Sequence, residues 1–347
     1  MRSASTELAH GQPSTVASQR IPQRMHPAAL RSAFPAAILA AASFVGSQSP
    51  LQPEIFRETD GDMTVRMPAP VGSLRRIEAS SNLQQWQTLA TITSNGTAEF
   101  RDSAAVYHPS RHYRFTEAPA SGAFPGDHFP TTSGDAIIRP INHATFLIRW
   151  NNLTIYCDPV GATSLYTGLP KANVILITHS HSDHWSSTTT GNQRNPDGCA
   201  IFAPQAVHTA MSATLKALTT VMNNGATTTT AGGLGIEAIP AYNSNHPPGS
   251  GNGYILTLGG KRLYFSGDTG DIPETRALQN IDIAFLCMNI PYTMDVNAAV
   301  AVVRAFRPRT IYPYHYRNQN GSFADLRRFE DLVSTDLGIE VRSRPWY

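Results

Sequence analysis

The chain is poor in cysteine and poor in charge. Three cysteines in 347 residues (Cys157, Cys199 and Cys287) cannot build a disulfide framework, and Cys157 and Cys287 sit in apolar, strand-like runs where a thiol packs as a small hydrophobe. Charged residues make up 15% of the chain and the net charge is +2, so there is no strong field to gather nucleic acid. Long apolar runs are missing too. The stretch 33–45 is too short to span a bilayer, which excludes it as a stable membrane anchor. Acidic residues are absent from 9–53, where Arg20, Arg24 and Arg31 precede that apolar stretch. This is the layout of a secretory signal, with Val45 and Ser47 as small residues suited to cleavage before Gln48, and with Met25 as an alternative start. Export, to a periplasm or beyond, is the expectation; an organellar transit peptide or a disordered tail over 1–47 shares the same composition.

What the chain does have is concentrated in residues 174–185, VILITHSHSDHW. A β-branched and apolar run, fit for a strand covered on both faces, stops abruptly at His179, His181, Asp183 and His184. Open α/β sheets place their chemistry where a strand gives way to its loop. Alternate side chains of an extended loop point the same way, so His179 and His181 can grip one ion while Asp183 and His184 turn toward a second. Imidazole and carboxylate together form the usual ligand set for zinc and similar ions, which makes a chance group of surface histidines the weaker explanation.

H-x-H-x-D-H after an apolar strand resembles the metallo-β-lactamase superfamily of metal-dependent hydrolases, and the resemblance implies an α/β (α+β) fold, an αββα sandwich. The stretch 141–160, INHATFLIRWNNLTIYCDPV, is similar to the opening of one branch of that superfamily, the branch of L-ascorbate-6-phosphate lactonase and N-acylphosphatidylethanolamine-hydrolysing phospholipase D. The stretch 241–274 continues the likeness through an Ala-Tyr-Asn step, a His-Pro step, a Gly-Gly hairpin and a Gly-Asp-Thr step. The resemblance implies that His179, His181 and His246 hold one divalent metal, that Asp183, His184 and His315 hold another, and that Asp268 bridges them. Zinc is the expected metal, with manganese or iron as alternatives. His143 and Asp158 are expected to support the ligands from behind, Asp158 by orienting an imidazole or by capping its turn. Asp183 or Asp268 is expected to carry the proton to the leaving group, and Asn243, Tyr292 and Tyr314 to touch the substrate.

The remaining texture divides the chain. Residues 54–117 alternate in short segments between turn residues, the mark of a small all-β, fibronectin-like module with Trp86, Leu89, Phe100, Tyr113 and Phe115 as its core. Residues 118–134 are rich in Pro, Gly, Ser and Thr and read as a linker in which His128 is exposed. The hydrolase domain is expected over 135–347. Strands are predicted over 136–141, 145–150 and 153–157, with a hairpin turn at Asn151-Asn152. Helices are predicted over 208–218, over 296–306 after an Asp295 cap, and over 322–334. His208, Asp271 and Glu274 read as residues without a chemical role.

Two divalent cations sharing a water lower its pKa from about 16 toward 7 and give hydroxide without a basic side chain. The resemblance therefore implies cleavage of an ester-type bond in a small molecule, a phosphodiester or a lactone, by a bridging hydroxide. A β-lactamase is the alternative among hydrolases. Outside them stand a non-catalytic, metal-stabilised binding or envelope module and a diiron redox protein. The redox proteins of this scaffold carry an acidic residue in mid-motif, where this chain has Ser182.

Overall fold

Asn151 and Asn152 both adopt positive φ (46° and 64°), the left-handed pair that a tight hairpin needs and that asparagine tolerates. They join strands Thr145–Trp150 and Leu153–Cys157, as the sequence predicts. Strand Val174–Leu176 then adds in parallel, Cys157 opposite Leu176, so both chains leave the sheet at the same edge. The computed structural model describes residues 53–59, 61–119, 123–335 and 337–347; the expected signal or tail over 1–47 lies outside the described residues.

These strands belong to a ten-stranded sheet. From edge to edge it runs Thr219–Val221, Ala200–Ala203, Val174–Leu176, Leu153–Cys157, Thr145–Trp150, Gly134–Asn142, Gly126–Thr131, Gln87–Thr93, Leu74–Ser80 and His112–Glu117. A seven-stranded sheet faces its first half, in the order Thr227–Thr229, Gly235–Ala241, Gly251–Leu258, Lys261–Phe265, Ile283–Cys287, Thr310–Tyr314 and Glu340–Val341. The core lies between them. Phe146 of the first sheet stacks on Phe285 of the second (4.2 Å between ring centroids), and Phe285 stacks on Tyr312 (4.8 Å). Burying such rings supplies the main driving force for closing the two layers.

Helices cover the outer faces, which completes the αββα layering. Val296–Phe306 is capped by the Asp295 side chain accepting from Ala298 N–H, buries Ala299, Val300, Val303 and Phe306, and ends at Arg307 in a left-handed turn before Pro308. The expected helix over 208–218 is two short ones, Gln205–Ala210 and Ala213–Lys216, because Met211 is extended and Ser212 caps a new start. The last predicted helix shrinks to Leu326–Glu330 and a wider turn, Asp331–Thr335. Residues 186–198, polar throughout, contain the helix Ser187–Gln193, started by the Ser186 side chain accepting from Thr189 N–H.

The N-terminal β unit pairs a three-stranded sheet (Glu54–Arg57, Met63–Pro68, Thr97–Asp102) with the far end of the ten-stranded one. Val65, Ile77, Leu89, Phe100, Tyr113 and Phe115 fill the space between. Trp86, expected in that core, instead lies half-buried outside it with the Arg114 guanidinium 4.2 Å from its ring. Within 118–134, the stretch read as a linker, Gly126–Thr131 is a strand that pairs with both Gln87–Thr93 and Gly134–Asn142. His128 is accordingly buried and not exposed, its ring nitrogens 2.9 Å from Thr91 Oγ1 and 2.9 Å from Asp135 Oδ2. Beside it, Asp127 accepts from the Tyr312 hydroxyl (2.6 Å) and from the Arg344 guanidinium (2.9 and 3.1 Å), which ties this strand to the C-terminal segment. Among the described residues no helix is long and apolar enough to cross a membrane.

Candidate metal centre

Parallel pairing gathers the site. Cys157 and Leu176 end side by side in one sheet, and Phe265, Phe285 and Tyr312 are neighbours in the other, with Cys287 opposite Tyr314. The residues that follow these strand ends, Asp158, His179, Asp268 and His315, therefore meet at one edge of the sandwich. Asp158, His143 and His315 take positive φ (45°, 56° and 48°), a conformation costing roughly 1–2 kcal/mol per residue that aims the side chain sideways off its strand. At Gly267 (φ 56°) an added Cβ would lie 2.8 Å from the Asn252 carbonyl oxygen, so only glycine lets the chain turn into Asp268.

All seven expected ligands come together. Their donor atoms fall in overlapping groups, His179, His181 and His246 in one, Asp183, His184 and His315 with His143 in a second, and His179, His184 and Asp268 in a third, the atoms of each within 4.8 Å of one another. Nε2 of His246 lies 3.0 Å from Nδ1 of His181, and Asp268 Oδ1 lies 3.1 Å from His184 Nε2 and 3.4 Å from His315 Nε2. Yet Nε2 of His179, His184 and His315 and Oδ1 of Asp268 are buried without an aligned hydrogen bond. Four orphaned polar atoms in so small a volume would cost several kcal/mol together, unless a cation satisfies them. The donor set fits divalent metal: imidazole nitrogens and carboxylate oxygens on buried, braced side chains.

The bracing is explicit. Asp158 accepts from His184 Nδ1 (2.7 Å), from Thr178 N–H (2.7 Å) and from the Thr178 hydroxyl (2.7 Å), which leaves His184 Nε2 free to face the site. Asp158 thus orients an imidazole and caps its turn at once. Thr178 Oγ1 lies 3.0 Å from His179 Nδ1, so it braces a second ring; its only signal in the sequence is that it directly precedes the first ligand. His143 Nε2 lies 3.2 Å from Asp183 Oδ2, and its Nδ1 is 2.8 Å from the hydroxyl of Tyr347.

Charge follows from this packing. Burial opposes ionisation of Asp268, but His315 and His184 outweigh it and hold its carboxyl well below the usual carboxylate range. Asp183 is held low as well, burial being outweighed by its hydrogen bond with His143 and by the neighbouring His315 and His184. Burial and the neighbouring His184 push His179 down, and burial lowers His246, so both rings favour the neutral form that has a lone pair to give. His184 shifts upward because Asp268 and Asp158 override its burial: a positive charge is favoured where these carboxylates converge.

A family model described as a beta-lactamase superfamily domain matches residues 138–315, just over half of the chain. The chain belongs to the metallo-β-lactamase superfamily. Two archaeal relatives described as metal-dependent hydrolases are similar over the same region. That of Pyrococcus abyssi is 30% identical over 223 residues, 59% of this chain and 95% of its own length. That of Thermococcus kodakarensis is 31% identical over 222 residues, again 59% and 95%. Among solved structures, one from Parabacteroides distasonis described as a metal-dependent hydrolase shares 39% identity at a TM-score of 0.57 and covers 64% of this chain and 99% of its own. A metallo hydrolase from the archaeon Ignicoccus hospitalis shares 25% at 0.52, covering 60% and 94%. The span matched by the superfamily model runs from Ile138 to His315 and so contains every one of the seven converging residues.

The expected substrate contacts fare less uniformly. Ligand atoms face a cavity of about 760 Å³ that Tyr292 also lines. Tyr314 does not reach it: the residue is fully buried and its hydroxyl lies 3.5 Å from Ser266 Oγ, behind the site. Asn243 is drawn inward too. Its amide nitrogen donates to the Asp268 carbonyl oxygen (2.8 Å) and sits 2.9 Å from His246 Nδ1, so it fixes the His246 ring from outside the cavity lining. Asp271 pairs with Arg276, and Glu274 accepts from the Tyr242 hydroxyl (3.0 Å); neither lines the cavity.

Proposed function

We propose that this chain is a dinuclear metal-dependent hydrolase that cleaves an ester-type bond, a phosphodiester or a lactone, in a small molecule. The convergence of buried nitrogen and oxygen atoms of His179, His184, His315 and Asp268, none of them in an aligned hydrogen bond, is the observation that carries it. His179, His181 and His246 would hold one divalent cation, Asp183, His184 and His315 the other, and Asp268 both, zinc being the metal this ligand set suits. Bound there, the cations would acidify water and polarise the bond under attack.

The chain's own residues divide the remaining work. Asp183 is the proton carrier, because it lines the cavity with a side chain that is 48% exposed whereas that of Asp268 is 5% exposed. His143, hydrogen-bonded to Asp183, keeps that carboxylate aimed into the cavity. Tyr292 stands at the cavity wall, where a leaving group would rest. The likeness of 141–160 and 241–274 to the lactonase and phospholipase D branch supports lactones and phosphodiesters over β-lactams. Export, suggested by the acid-free, arginine-bearing stretch 9–53, belongs to the same reading.

Elemental analysis combined with a panel of lactones, phosphodiesters, phosphomonoesters and β-lactams tests it. The expected result is a metal-loaded protein that turns over a lactone or a phosphodiester and loses that turnover to a chelator. A fully loaded protein inert toward the whole panel would overturn it.

A further inference from the structure

Arg317 follows His315 by two positions and lines the same cavity as the ligand atoms. It is exposed, and no carboxylate among the described residues pairs with its guanidinium. Nor is that guanidinium loose. It lies 4.7 Å from the ring centroid of Tyr347, in the geometry of a cation held over an aromatic face. Tyr347 is itself pinned: its ring stacks on Phe323 (5.3 Å) and meets Tyr316 edge-on (5.1 Å). Its hydroxyl accepts from the Arg317 backbone N–H (3.2 Å) and lies 2.8 Å from His143 Nδ1. A run of contacts thus connects the cation at the rim to His143 and through it to Asp183.

The rest of the rim carries amides. Asn245, Asn289, Asn318 and Gln319 line the cavity beside Arg317, and among the described residues its only lining carboxylates are Asp183 and Asp268, both among the converging ligands. Once those two are engaged, the mouth offers one immobilised positive charge and neutral donors. An Arg fork in that setting binds an oxyanion by charge-assisted, bidentate hydrogen bonds, and because it is already stacked it loses little freedom in doing so.

We infer that Arg317 is a specificity-determining residue, and that the substrate carries a second anionic group, a carboxylate or a phosphate, remote from the bond that is cleaved. The inference rests on the hydrolase reading for the nature of that bond only; the anion site stands on the cavity itself.

The test is equilibrium binding to the zinc-loaded protein, by calorimetry, of butyrate against the diacids succinate, glutarate and adipate, and against phosphonocarboxylates of matching length. At least one two-headed ligand is expected to bind tenfold or more tightly than butyrate. That preference should fall toward unity in Arg317→Ala and survive in part in Arg317→Lys, which keeps the charge and loses the fork. The tighter arm, diacid or phosphonocarboxylate, identifies the anion. Arg317→Gln serves the same comparison should the alanine variant fail to fold by circular dichroism. No preference in the wild-type protein, or a preference undiminished in Arg317→Ala and Arg317→Gln, overturns the inference. A wild-type protein that shows the Arg317-dependent preference but hydrolyses no ester or lactone sinks the hydrolase reading alone.

Discussion

His184 Nδ1 and Asp158 Oδ2 lie 2.7 Å apart with side-chain exposures of 0% and 1%. Among the described residues only Asp158 and the Thr178 hydroxyl, 3.3 Å away, meet that nitrogen, so the tautomer of a buried imidazole depends on this one carboxylate. Asp158→Asn keeps the shape but removes the charge and leaves one acceptor oxygen where two are in use, one toward Thr178 N–H and one toward His184 Nδ1. It is expected to weaken metal binding 10- to 100-fold, as loss of such supporting carboxylates generally does, measured by competition with a metal indicator. Unchanged affinity would show that the ring needs no anchor.

His181→Ala separates metal binding from folding, because His181 is exposed while the other members of its group are buried. Metal content at one site and turnover are expected to fall by more than a hundredfold, with the circular dichroism spectrum intact. Asp268→Ala should abolish both. A variant of either residue that keeps full metal and full rate refutes the ligand assignment.

Asp127 gives a pH signature away from the site. Burial would raise its carboxyl, but Arg344 and Arg342 outweigh it and hold the group below its ordinary value of 3.8. A depressed carboxylate contributes stability that is present above 3.8 and is lost as pH falls through the lower, folded value. Asp127→Asn breaks a buried pair and leaves the arginines unmatched, which typically costs about 3–5 kcal/mol. Thermal unfolding should show a large gap between wild type and variant near neutrality that narrows below pH 4; a gap independent of pH would assign the loss to packing.

Chelation should destabilise as well as inactivate. A ligand present at a hundred times its dissociation constant adds about 2.7 kcal/mol to the folded state, so removing metal with EDTA is expected to lower the midpoint by several degrees, reversibly on adding zinc. Without metal, the buried nitrogen and oxygen atoms that face one another at the site lose the cation that would satisfy them, which is the physical origin of the loss.

How much of this was legible in the sequence depended on range. The ligand loop 179–184 is local, and a strand that stops at four donors announces itself. His246, Asp268 and His315 needed the family likeness, because only sheet pairing brings them to the loop. Tyr314 was misplaced for a related reason: Thr310–Tyr314 is buried at every position, so alternation along the strand offered no way to tell inward from outward. His128 was misread because Gly and Pro in 118–134 suggested a tether, whereas the strand Gly126–Thr131 draws its stability from partners on both sides. Arg317 and Tyr347 carried no local signal, and their pairing exists only once the C-terminus folds back beside His143.

The bridging strand Gly126–Thr131 also decides what can be cut away. The archaeal relatives span about three fifths of this chain, which invites trimming it to its hydrolytic half. A chain beginning at Asp135 would strip Gly134–Asn142 of its neighbour and discard the carboxylate that Arg344 grips. It would present a bare row of amides and carbonyls, a template for self-association. The front module is thereby a seal on an otherwise adhesive margin, and a soluble short form has to keep that strand.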